Sequence, residues 1–187
     1  MNLLEAIVLG LIQGLTEFLP VSSSGHLELG KYLFGIDHEA NFYFSIAVHG
    51  ATVLSTLFVL WKEILDLFKG LFKFRLNDET RYIIKLFISM IPVGITGLFM
   101  GEIAEKYFAG DMISLGVQFF ISALFLYLAM VIRPKERTMT YLDSFIIGIA
   151  QALSVLPAIS RSGATIATGM MLGNKKSEIA KFSFLMV

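Results

Sequence analysis

The sequence has no cysteine, one tryptophan, four prolines and few charges. Without cysteine there is no disulfide framework and no thiolate metal cluster, and the redox compartment leaves no trace. Charged residues make up 16% of the chain and sum to zero, against the ~25% charged residues of an ordinary soluble domain. A neutral, charge-poor chain lacks the basic surface that nucleic acid requires, so nucleic-acid binding is not expected. The start, MNLLEAIVLG, carries Glu5 but no Lys or Arg. The basic beginning of a cleaved signal peptide is therefore missing, and this segment is expected to stay in the mature fold.

What is present is apolar: 56% hydrophobic residues and a mean hydropathy of +0.73 place the chain in a bilayer. It reads as an all-α integral membrane protein forming one polytopic domain over 1–187. Spans are expected at about 42–61, 82–101 and 112–132, each near the ~20 residues that a helix needs to cross the hydrocarbon core. Lys62, Lys69, Lys73, Arg75 and Arg81 follow the first span, and Arg133, Lys135 and Arg137 follow the third. By the positive-inside tendency both connections are cytoplasmic. The connections holding Glu28, Lys31, Asp37 and Glu39, and Glu102, Glu105, Lys106 and Asp111, are acidic and read as external. The stretch KEILDLFKGLFKF suits an amphipathic helix lying at the cytoplasmic interface.

Two segments break the apolar pattern. QGLTEFLPVSSSGHLELG runs from residue 13 to 30, and QALSVLPAISRSGATIATG from 151 to 169. Each has an apolar run, a proline, a serine-rich turn and a second short apolar run. Pro20 and Pro157 stop one helix, and a serine among Ser22, Ser23 and Ser24, or Ser160 and Ser162, can cap the next. Both segments therefore read as re-entrant helical hairpins, over about 1–35 and 142–173, with their tips inside the membrane. Irregular backbone at that depth must be buried in protein or line a polar cavity. Gly10, Gln13, Leu15, Ser24 and Gly25 match Gly148, Gln151, Leu153, Ser162 and Gly163 at one constant offset. Three spans separate the copies, so the repeat is expected to be inverted, with both tips meeting near the midplane.

Arg161 stands between Ser160 and Ser162 at an expected helix N-terminus. Free N–H groups, hydroxyls and a forked guanidinium together favour a phosphate, the alternative being a structural pairing with Glu17 or snorkelling. Gln13 and Glu17 are four residues apart and share a helix face. Glu17 can serve as a general base, as a hard-oxygen metal ligand beside Gln13, or as the partner of Arg161. His26 can activate a hydroxyl, protonate a leaving oxygen or attack phosphorus. His49 reads as a helix-packing residue and His38 as a loop residue.

The motifs QGLTEFLPVSSSGH and LPAISRSGAT, in this order along essentially the whole chain, resemble the two signatures of the undecaprenyl-diphosphate phosphatase family of the bacitracin-resistance type. The ending AKFSFLM is also similar. The resemblance implies hydrolysis of undecaprenyl diphosphate to the monophosphate and phosphate, which renews the lipid carrier of peptidoglycan synthesis and confers bacitracin resistance. It implies a multi-pass protein of the bacterial cytoplasmic membrane with an outward-facing site and a divalent cation, magnesium or calcium. By the same resemblance Glu17 is the essential carboxylate, Ser23 the nucleophile, His26 its assistant or rival, and Arg161 the diphosphate clamp. Gln13, Ser22, Ser24, Ser160, Ser162 and Thr165 are the expected substrate-binding partners, with Gln13 and Glu17 as candidate metal ligands. Where the family has glycine after the second proline, this chain has Ala158. Family members continue through further spans, so the chain is expected to be a fragment with an incomplete last span from about 177, and a homo-oligomer is left open. The rival readings are an inverted-repeat transporter or flippase for a phosphorylated lipid and a purely structural membrane subunit.

Overall fold

A computed structural model of the chain describes residues 1–36, 42–108, 111–132 and 136–186, with the side chains of 42 and 102–108 outside the description. Asp37, His38, Glu39, Arg133 and Lys135 thus lie outside the described residues, as do the side chains of Glu102, Glu105 and Lys106. The described chain is helical, and its β content is one isolated bridge between Arg137 and Asn174.

The first hairpin is α1 (Leu3–Glu17) and α2 (Ser23–Phe34), and the second is α7 (Tyr141–Ala152), a 3₁₀ turn (Leu153–Val155) and α8 (Arg161–Met171). Their local chemistry repeats. Asn2 and Glu5 form a capping box at the start of α1, and Thr140 and Asp143 form one at the start of α7. Ser22 caps α2 by accepting from the Gly25 N–H, and Ser160 caps α8 by accepting from the Gly163 N–H. In both turns the capping hydroxyl lies 3.4 Å from that of the serine two residues on. All these pairs keep the offset of the sequence repeat, so the repeat extends from residue identity to the way each helix is begun.

Between the hairpins run α3 (Phe42–Val59), α4 (Trp61–Leu71), α5 (Asp78–Phe108) and α6 (Met112–Val131), and α9 (Lys176–Leu185) follows the second hairpin. Within α5 the stretch Asp78–Gly101, and the whole of α6, are long and apolar enough to cross a membrane. A third crossing results if α3 and α4, bent by 71° at their junction, count as one span. That bend fits the alternative in which α3 crosses and α4 lies along the interface, because Lys62, Asp66 and Lys69 alternate on α4 with Ile64, Leu67 and Phe68.

The interior inverts the pattern of a soluble protein. Gln13, Ser89, Gln118, Ser122, Ser144, Gln151 and Thr165 are buried, while Phe58, Leu98, Phe99, Phe120 and Met130 stand exposed. Lipid makes no demand that apolar side chains be hidden, so helices associate through small and polar groups and leave their large side chains outside. Gly148 of α7 meets the backbone of α5 at Ser89, where a Cβ would collide with the carbonyl. An apolar cluster of Met139, Ile147, Ile179, Phe182 and Met186, with Tyr82 and Leu86 packed on it, anchors the second hairpin to α5 and α9.

Arg137 ties the ends of this half together. Its guanidinium grips Asp143 with two bonds of 2.7 Å, its Nε donates to the Leu172 carbonyl, and its backbone bridges to Gly173 and Lys175. The residue read from sequence as a topological charge is also the joint between the entry of α7 and the exit of α8.

Candidate active site

The two hairpin tips meet. The Ser24 hydroxyl donates to the Pro157 carbonyl, and Gly163 sits so close to the Pro20 carbonyl that an added Cβ would come within 3.1 Å of it. Gly25 faces Ala158 and the Phe119 ring, where a Cβ would come within 2.7 Å of the ring edge. A side chain at 25 or 163 would crowd these contacts, so glycine suits both first turns.

The second tip is held from α6. Gln118 Oε1 accepts from the Ala158 N–H at 2.8 Å, and Ser122 Oγ accepts from the Ser160 N–H at 3.0 Å. These amides belong to a non-helical turn and have no ladder to join, so side chains on a neighbouring span satisfy them. Ala158 is fully buried and is not among the positive-φ residues, so the turn accepts alanine there. In the first tip it is Ser22 that takes a positive φ, of 68°. Its carbonyl receives both the backbone N–H of His26 at 3.1 Å and the His26 Nδ1 at 2.8 Å.

At the junction lies Glu17, with its carboxylate only 13% exposed. Its Oε1 accepts from the Arg161 guanidinium at 3.0 Å, and its Oε2 accepts from the Gln13 amide at 2.8 Å and from the Ser23 hydroxyl. One carboxylate thus joins the two repeats. A buried charge needs such pairing, and the four-residue spacing that turns Gln13 toward Glu17 supplies part of it. Arg161 keeps 32% of its side chain accessible, so the guanidinium is paired but still open to a ligand.

A cavity of about 190 Å³ opens beside this junction, lined by both tips: Glu17, Ser22, Ser23 and Ser24 from the first, and Ser160, Arg161 and Ser162 from the second. Seven of the expected site residues therefore share one wall. Three do not. Gln13 is buried behind Glu17. Thr165 is turned inward, donating to the Arg161 carbonyl at 2.9 Å and sharing a 2.7 Å hydrogen bond with Ser183. His26 is off the cavity, its Nδ1 bound to the Ser22 carbonyl and its ring edge-on to Phe119 at 5.1 Å. Conversely, Thr16, Ser154 and His49 line the cavity although the motifs do not single them out.

The geometry defines a class: a polytopic membrane protein whose two re-entrant hairpins join at a buried carboxylate, with a hydroxyl and a guanidinium bound to it beside an open polar cavity. A family model described as bacitracin resistance protein BacA matches residues 6–187. The chain is 55% identical over its full length to an undecaprenyl-diphosphatase of Bacteroides thetaiotaomicron and 52% identical to that of Parabacteroides distasonis, covering 71% of each relative. It is 44% identical, over 98% of its own length, to an undecaprenyl-diphosphatase of Methanococcus vannielii, covering 73% of that protein. The chain belongs to the bacitracin resistance protein BacA family.

Proposed function

We propose that the chain is an undecaprenyl-diphosphatase, hydrolysing undecaprenyl diphosphate to undecaprenyl phosphate and inorganic phosphate. The observation that carries the reading is the carboxylate of Glu17 holding the Ser23 hydroxyl on one oxygen and the Arg161 guanidinium on the other. Cleaving a phosphoanhydride requires positioning, charge neutralisation and an aligned nucleophile, and these three groups supply them. Arg161, two serines beside it and the free N–H groups at the start of α8 receive the diphosphate. Its oxygens then compete with Glu17 for the guanidinium, which frees the carboxylate to take the Ser23 proton as Oγ attacks the terminal phosphorus. The wall is polar on the hairpin side, and the exposed apolar faces of the surrounding helices offer the prenyl chain a path from the lipid.

We propose that the reaction uses a divalent cation, magnesium or calcium, with Gln13 and Glu17 as its candidate ligands. Gln13 Oε1 is buried without a hydrogen-bond partner while its Nε2 faces Glu17, and turning this amide over would set a second hard oxygen beside the carboxylate. No group of three or more His, Asp or Glu side chains comes together among the described residues. Substrate phosphate oxygens and water would complete the shell, as is usual for magnesium. When bound, the cation neutralises phosphate charge.

The reading puts this multi-pass protein in the bacterial cytoplasmic membrane, and we propose that the cavity faces outward. Two observations support this. Lys62, Lys69, Lys73, Arg75 and Arg81 all follow α3, and His49, on the cavity wall, lies two turns into α3 from its other end. A lipid transporter has no use for a hydroxyl bound to a carboxylate, and the relatives' names speak for hydrolysis.

The test is phosphate release from undecaprenyl diphosphate in detergent with magnesium, comparing the chain with Arg161→Ala. Release that disappears in the variant supports the enzyme. Binding of the diphosphate lipid with no release from either form returns the transporter to the front.

A further inference from the structure

The cavity that receives the diphosphate has a single imidazole on its wall among the described residues, and it is not the one in the serine-rich motif. His26 lies off that wall. Its Nδ1 and its backbone N–H both bind the Ser22 carbonyl, and its ring rests against Phe119 outside the cavity. His49, from α3, lines the cavity with Glu17, the three serines of the first tip and the Ser160 to Ser162 turn of the second. Its Nδ1 lies 2.8 Å from the Ser45 carbonyl. A carbonyl can only accept, so Nδ1 carries the proton and Nε2 is the nitrogen left for proton transfer.

We propose that His49 is the acid and base of the reaction, and that His26 is a positioning residue. The inference rests on the phosphatase reading and deepens it. In the first step Ser23 Oγ bonds to the terminal phosphorus, its proton passes to Glu17, and the bridging P–O bond breaks. His49, protonated on Nε2, gives that proton to the bridging oxygen, and undecaprenyl phosphate departs. In the second step neutral His49 takes a proton from a water molecule whose oxygen bonds to phosphorus. The Ser23 Oγ–P bond breaks, Ser23 recovers its proton from Glu17, and phosphate leaves. One water is consumed, and Glu17, Ser23 and His49 all return to their starting protonation.

Among the described residues, the charged groups placed near His49 are Glu17 and Arg161 on the cavity wall and Lys31, whose Nζ is 3.0 Å from Glu28 and 3.4 Å from the Ser45 hydroxyl one turn before His49. Each of these cations is paired with a carboxylate, Arg161 with Glu17 and Lys31 with Glu28.

The test measures kcat, KM and the pH profile of phosphate release from undecaprenyl diphosphate with magnesium, for the full chain, His49→Gln and His26→Gln. The expected result for His49→Gln is a kcat lower by ~10²–10⁴-fold with KM nearly unchanged, a loss typical of a missing acid–base group. The limb of the pH profile near neutrality should vanish in His49→Gln and persist in His26→Gln, however much the latter slows. Stabilisation of His49→Gln by inorganic pyrophosphate in a thermal melt, equal to that of the unaltered chain, accompanies this result. A His49→Gln rate within twofold of the unaltered chain, a retained pH limb, or a variant that pyrophosphate no longer stabilises overturns the assignment. Absence of phosphate release from the unaltered chain overturns the phosphatase reading itself, and the role of His49 with it.

Discussion

Ser23 and Arg161 occupy the same position of the two repeats, the first residue of the second helix in each hairpin, and both bind the carboxylate of Glu17. An exact duplication would have placed like groups opposite one another. Here the positions have diverged into complementary chemistry: a hydroxyl that can attack and a cation that can hold what it attacks. The counterpart of Glu17 is Val155 and that of His26 is Ala164, so the junction holds one carboxylate, where two at contact would repel and raise the pKa of one. The repeat supplies the frame, with its paired caps and touching tips, and the differences between the copies supply the chemistry.

Arg161→Ala is expected to lower kcat by ~10³–10⁵-fold, the range seen when an arginine that neutralises phosphoryl charge is removed. Arg161→Lys should recover only part of this, because a point charge lacks the planar fork that spans two phosphate oxygens. The contrast is read from phosphate release with saturating lipid. Equal rates for Lys and Arg would mean that bulk charge, not the fork, is what the site uses.

Much of this site was legible in the sequence for local reasons. Pro20 and Pro157 end helices, Ser22 and Ser160 begin them, and Gln13 and Glu17 share a face by helical spacing, all within a few residues. His49 was not legible, because whether its face of α3 meets lipid or the cavity depends on how α3 packs on the first hairpin. Gln118 and Ser122 did carry a signal: with Ser114 they mark one face of an otherwise apolar span at four-residue spacing. The pattern could not say that the partners would be amide groups some forty residues away. Thr165 misled for a physical reason. Four residues after Arg161 it lies over that residue's carbonyl, and a helical threonine readily bonds back to such a carbonyl instead of facing a ligand.

Gln118→Ala and Ser122→Ala each leave a buried turn amide, of Ala158 or Ser160, without an acceptor. An unpaired buried donor costs ~1–3 kcal/mol, and the tip it belonged to carries Arg161. Both variants should melt at lower temperature in detergent and show a raised KM. A pair of variants with unchanged melting would mean that water takes over the acceptor role.

Gly148 and Gly97 separate packing from propensity. A Cβ at Gly148 would run into the Ser89 carbonyl and force α5 and α7 apart, whereas at Gly97 nothing lies within 4 Å. Gly148→Ala should therefore lower the melting temperature and lose activity, since the second hairpin moves with α7. Gly97→Ala should be neutral or stabilising, by up to about 1 kcal/mol from helix propensity. Similar behaviour of the two would show that α5 and α7 do not approach as closely as described.

Ser22 offers the sharpest test of how the nucleophile is placed. Its φ of 68° is a conformation that side-chain-bearing residues rarely adopt, at a cost of ~1–3 kcal/mol, and it is the residue immediately before Ser23. Three bonds hold it there: its hydroxyl caps Gly25, and its carbonyl takes the ring and the backbone N–H of His26. Ser22→Gly removes the cap but relieves the strain, and glycine replaces a serine cap at a cost of only a few tenths of a kcal/mol. Ser22→Ala loses the cap and keeps the strain. The expected order of melting temperature and kcat is therefore Ser, then Gly, then Ala, with His26→Gln lowering kcat further in Ser22→Ala than in Ser22→Gly. If alanine proved as active as glycine, the position of Ser23 would be set by the tip-to-tip contacts of Ser24 and Gly25 alone.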